Sequence, residues 1–166
     1  VNALLPRLSP SSATARPYDA PEQAAALRAF LLAVVGREPA SSLIELRPMH
    51  ADGRPARERA FLPVGQVGEV ERRVRALAPS MNVYVGAAPR VRPDGTAAAV
   101  ERVWTLWADI DSEEGLERLR AFGCLPRVVL RTGTPGHALA LWPLVEPLTP
   151  KYGQRANRRI ALALSG

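Results

Sequence analysis

The chain predicts a mixed α/β fold, with an antiparallel hairpin beside a strand tipped by two acids. Three observations predict it. Stretches with helical apolar spacing alternate with short apolar runs, in the order β-α-β-β-α after a first helix. Two of those runs flank the turn-forming residues Thr134-Pro135-Gly136. A length of 166 residues, 47% hydrophobic and 23% charged, suits one domain that can bury a core.

The elements follow in order. Residues 1–18, rich in Pro and Ser, read as a flexible leader or an extended arm ahead of a single domain over 19–166. Asp19 can cap a helix from Ala20 to about Val35, with Pro21 in its first turn and Glu22 placed for a capping box. Its residues Ala26, Leu27, Phe30, Leu31 and Val34 form one apolar stripe, and Gly36 ends it. Strands are expected over Leu43 to Arg47 and Ala60 to Val64, joined by the loop His50 to Pro55. A second helix, about Val67 to Leu77, turns Val67, Val70, Val74 and Leu77 inward.

A second subdomain, about 81–166, should open with the strand Asn82 to Gly86. The loop at Pro93-Asp94-Gly95-Thr96 leads to the long strand Val103 to Asp111. Ser112 can cap a helix from Glu113 to Ala121, with acids in its first turn and arginines in its last. Strands Arg127 to Thr132 and Ala138 to Trp142 form the hairpin, and Thr149 caps a final helix beginning at Pro150. Its basic stripe, Lys151, Arg155, Arg158 and Arg159, should lie opposite Tyr152, Ala156, Ile160 and Ala163.

Composition narrows the partners. The longest apolar run, Phe30 to Val35, is far too short to span a bilayer, so no membrane is expected. No secretory signal is visible, and the single Cys124 cannot form an internal disulfide; a cytoplasmic setting fits. Cys124 follows a helix with no nearby Cys or His ligand set and reads as a structural thiol. A net charge of +6 permits a nucleic-acid partner. Yet Lys151 is the only lysine among 22 basic residues, an arginine bias that a GC-rich genome alone can produce.

Chemistry concentrates in two places. Asp109 and Asp111 are spaced i, i+2 on a strand, so both carboxylates leave on one face where the strand emerges from the core. That suits a divalent cation shared with substrate phosphates, although strands also end in plain solvated acids. Some twenty residues later, Thr132-Gly133-Thr134-Pro135-Gly136-His137 offers hydroxyls, two glycines and an imidazole. Such a loop can bring amides and side-chain donors to a polyanion, or be an ordinary hairpin turn.

With these residues in view, the sequence resembles the archaeo-eukaryotic primase superfamily, in particular the bacterial, phage and plasmid primase-polymerase domains related to RepB-type replication primases. The resemblance rests on Asn82 to Arg90, on Trp107-Ala108-Asp109-Ile110-Asp111, on Arg131 to Trp142 with Pro143-Leu144, and on Ala156-Asn157-Arg158-Arg159. It implies an RRM-like sheet with flanking helices beside a smaller N-terminal α/β unit. It further implies Asp109 and Asp111 as ligands of Mg²⁺ or Mn²⁺. His137 and the turn residues Thr132, Gly133, Thr134 and Gly136 would contact a nucleoside triphosphate; Arg131 and Arg90 are either further phosphate or template contacts or partners in surface salt bridges. By its own pattern the basic stripe Lys151, Arg155, Arg158 and Arg159 is either a solvated helix face or a surface that tracks a single-stranded DNA template. The implied activity is template-dependent nucleotidyl transfer, and a replicative helicase is a partner such a domain could have.

Two departures qualify the resemblance. Members of the family often carry a histidine three residues before the strand tryptophan, where this chain has Leu139. Either His137 serves instead or the register differs. The family also continues into a third acidic ligand and a later R-x-P-G-T-x-N-type segment, and the chain stops at Gly166. A truncated catalytic domain is therefore expected. A non-catalytic nucleic-acid or nucleotide-binding module derived from such a primase is the rival expectation, and a phosphate-ester hydrolase using the same acids is a third.

Overall fold

The structure is a computed structural model that describes residues 2–3, 21–50, 52–56, 59–131 and 135–165. Its fold is mixed α/β, as expected: two antiparallel sheets with helices packed on them. The first sheet holds β1 (Asn2–Ala3), β4 (Asn82–Gly86), β2 (Leu43–Met49) and β3 (Ala60–Pro63), in that spatial order. The second holds β5 (Val103–Ile110), β7 (Ala138–Leu148) and β6 (Val128–Arg131), with β7 central. Asn2–Ala3 pair with Val85 and Gly86. Asp19 and its expected cap lie outside the described residues.

Helix α1 (Pro21–Val35) supplies the common core. Leu27, Phe30, Leu31 and Val34 are buried, and they meet Ile44, Leu46, Val83 and Val85 of the first sheet. Leu139 and Leu141 of β7 belong to the same cluster, so one apolar core joins α1 to both sheets. The Thr105 hydroxyl, fully buried on β5, donates to the Ala33 carbonyl and ties α1 to the second sheet. Helix α2 (Val67–Leu77) presents Val70 and Val74 to this core, the stripe read from its spacing.

The other face of the second sheet packs on α3 (Glu113–Ala121) and α4 (Pro150–Ser165). Ser112 caps α3 as expected, its Oγ accepting from the Gly115 amide at 3.1 Å. Strand β7 runs six residues past Trp142, the expected end, and passes through Pro143 and Pro147. The reason is that β6 begins opposite Leu141. Beyond that point β7 pairs on one side only, and a residue without an N–H is tolerated there.

Helix α4 buries a face rotated from the one its sequence suggested. Gly153 and Leu164 are buried and Ala156, Asn157 and Ile160 half-buried, whereas Tyr152 and Ala163 are exposed. Gly153 sets this orientation: a Cβ there would lie 2.9–3.0 Å from three carbons of the Val103 side chain. The helix therefore lies directly on β5. Gly153→Ala should gain about 1 kcal/mol of helix propensity but lose about 1–3 kcal/mol to overpacking against a stiff β-branched side chain. A net loss near 1 kcal/mol is expected in urea unfolding, and combining it with Val103→Ala should shrink the penalty of the glycine change. No described helix is long and apolar enough to cross a membrane.

Candidate metal and nucleotide site

The acids stand at the edge of the second sheet. Asp109 lies opposite Leu139 in the β5–β7 ladder, and Trp107 opposite Leu141. Paired residues share a face, so Asp109 leaves on the α1 side of the sheet together with the side chains of that core. Asp111, two residues on, returns to the same face just after β5 ends. His137 immediately precedes β7, and its Nδ1 lies 3.3 Å from an oxygen of Asp111. The hairpin thus brings the histidine beside Asp111 across the strand pair.

Leu139 does not take that place. It is fully buried among the core residues of α1 and the first sheet. Of the two candidate positions, only His137 reaches the surface beside the acids.

Asp109 and Asp111 are both exposed, but their environments differ. Partial desolvation pushes the Asp109 carboxyl above its ordinary range, and the nearby Asp111 charge pushes it further the same way. Two carboxylates that repel each other are a fitting donor set for a hard divalent cation. Mg²⁺ commonly takes one or two protein carboxylates and fills its remaining positions with water and substrate phosphate. Among the described residues no cluster of three or more His, Cys, Asp or Glu able to hold a metal forms.

A groove of about 310 Å³ opens beside Asp109, lined by Trp107, Ala108, Gln154, Asn157, Arg158 and Ala161. Asn157 positions its wall: its Oδ1 accepts from the Trp107 amide at 2.9 Å, satisfying a donor on the edge strand. Gln154 and Asn157 had no assigned role in the sequence reading. Only the docking of α4 on β5 brings them to the acid, and spacing along the helix does not reveal that.

The remaining candidates divide. Gly136 adopts φ +77° and packs close to Glu113 at the start of α3, so the turn beside His137 needs glycine. Thr132, Gly133 and Thr134 lie outside the described residues. Arg131 pairs with Ala138, whose side chain enters the α3–α4 cluster; it therefore leaves on the sheet face opposite Asp109. Arg90 is corrected outright. It is 2% exposed and bound to Glu45 at 2.7 Å and to the Thr96 carbonyl at 2.9 Å, a structural ion pair with no surface to offer a phosphate. Lys151, Arg155, Arg158 and Arg159 are exposed along α4, and of these Arg158 enters the Asp109 groove.

Comparison with family models, with curated proteins and with solved structures finds no match. The functional reading therefore rests on the residues themselves.

Proposed function

We propose that this domain carries out metal-dependent nucleotidyl transfer of the primase-polymerase kind, extending or starting a strand on a single-stranded DNA template. The observation that supports it most is the pair Asp109 and Asp111 on one face at the end of β5, with His137 Nδ1 3.3 Å from Asp111. Asp109 and Asp111 would hold Mg²⁺ or Mn²⁺, which when bound supplies charge neutralisation for a triphosphate and activation of the attacking hydroxyl. An oxygen of Asp111 lies 3.3 Å from His137 Nδ1, and with that nitrogen turned to the carboxylate Nε2 would donate to a phosphate oxygen only in the imidazolium form. Arg158, across the groove from Asp109, adds positive charge where the substrate would be negative.

A fluorescent deoxynucleoside triphosphate titrated with and without Mn²⁺ tests this reading. Binding should require the metal and should weaken at least about tenfold in Asp109→Ala/Asp111→Ala, since losing even an outer-shell partner of a metal ligand costs about 10–100-fold. Both side chains are exposed, so the variant should fold normally by circular dichroism. Equal metal-dependent binding by the variant and the parent would defeat the reading. The engagement of Asp111 by His137 also suits a non-catalytic nucleotide- or nucleic-acid-binding module. Oligonucleotide binding without any metal-dependent nucleotide binding would favour that alternative.

A further inference from the structure

A second and larger groove, about 750 Å³, lies on the other flank of α4. Its volume falls in the range of ligand sites. Leu106, Phe122, Trp142 and Ile160 form its apolar floor. That floor is fixed in place: the Trp142 indole donates to the Cys124 carbonyl at 2.7 Å, and Phe122 meets the Trp142 ring edge-on with centroids 6.0 Å apart. Tyr152 and Leu125 stand at its border, 60% and 68% exposed.

Arg127, Arg155 and Arg159 also line this groove, and no lining residue is acidic. All three are exposed, and among the described residues none is paired with a carboxylate. An apolar, partly aromatic floor beneath uncompensated guanidinium groups calls for an occupant that is flat, apolar on its faces and anionic along its length. We propose that the groove holds a single nucleic-acid strand, with bases against the floor and Tyr152 and phosphates on the arginines.

Continuity favours this occupant over an acidic amphipathic peptide. Lys151, Arg155, Arg158 and Arg159 form the crest of α4, with Arg155 and Arg159 facing this groove and Arg158 facing the one beside Asp109. One polyanion crossing the crest would touch both grooves, so its end could come near the acids. The proposal deepens the nucleotidyl-transfer reading and rests on it for the identity of the occupant. The basic, acid-free groove itself is independent of the metal.

The test uses a short labelled oligo(dT), in EDTA, across a NaCl series. Arg127→Gln/Arg155→Gln/Arg159→Gln should lose at least about tenfold in affinity, and its log–log salt slope should flatten by about 2, as expected for three lost phosphate contacts. Cys124, the only cysteine and an exposed lining residue, provides an independent footprint. Bound oligo(dT) should slow its reaction with a maleimide, and prior maleimide labelling should block oligo(dT) binding.

Unchanged affinity and slope in the triple variant would overturn the proposal. So would undiminished Cys124 labelling with oligo(dT) bound, or protection by an acidic amphipathic peptide alone. Asp109→Ala/Asp111→Ala should bind oligo(dT) normally in EDTA; loss there would place the strand at the acids and overturn the groove. Intact oligo(dT) binding and Cys124 protection, with no metal-dependent nucleotide binding, would support the groove and sink only the catalytic reading.

Discussion

Glu45→Ala should destabilise the protein by about 3–5 kcal/mol, the usual result of stripping one partner from a buried ion pair. Glu45 is 1% exposed, on the face of β2 turned away from the α1 core. Its Oε2 accepts from Arg90 at 2.7 Å, while its Oε1 faces Arg47 at 3.1 Å and Arg59 at 3.4 Å. One carboxylate thus balances three guanidinium groups, and Arg90 is as buried as the acid itself. Removing the acid leaves Arg90 charged inside the protein with, among the described residues, only the Thr96 carbonyl as a partner.

Arg47 and Arg59 are partly solvated, and their own contacts with Glu45 should matter less, because water screens them. The cost should therefore depend mainly on Arg90. Glu45→Ala/Arg90→Met should recover most of the lost stability, because an apolar pair leaves no stranded charge. The measurement is a double-mutant cycle from urea midpoints. A cost below about 1 kcal/mol for the single change would show that Arg90 reaches water when Glu45 is gone.

That pair also shows where sequence reading stops. Arg90 and Glu45 lie 45 positions apart, and neither carries a local pattern that marks it as buried. An arginine after a glycine-bearing strand looks like a surface contact until the chain folds it over the first sheet. Helices α2 and α3, by contrast, were legible to the residue, because amphipathic spacing and the Ser112 cap are local properties. The face of α4 was misread because Gly153, rather than a large apolar residue, makes the closest approach to β5. Absence of a side chain carries no hydropathy signal. At the candidate site, the i, i+2 spacing gave the shared face of Asp109 and Asp111, a property of any strand. The meeting of Asp111 with His137 needed the β5–β7 register, and the Asn157 contact needed the docking of α4.

Leu139→His should unfold the protein rather than improve its site. This substitution places a histidine at the position where the resembled family often has one, so it separates the two registers left open by the sequence. Leu139 is fully buried, packed in the cluster that joins α1 to both sheets. Losing its apolar contacts costs about 2–5 kcal/mol in comparable leucine truncations, and burying an imidazole without a partner adds about 1–3 kcal/mol. Partial repacking around the ring offsets some of this, so a loss of about 3–5 kcal/mol is expected in urea unfolding. Such a loss is a large part of the stability of a domain this size. His137→Ala is the complementary change. Its ring is about one-third exposed and touches Asp111 at the surface, so stability should shift by less than about 0.5 kcal/mol. Metal-dependent nucleotide binding should nevertheless weaken several-fold, because the ring beside Asp111 no longer reaches the nucleotide phosphate. A stable Leu139→His with stronger nucleotide binding, together with an indifferent His137→Ala, would overturn the assignment of that role to His137.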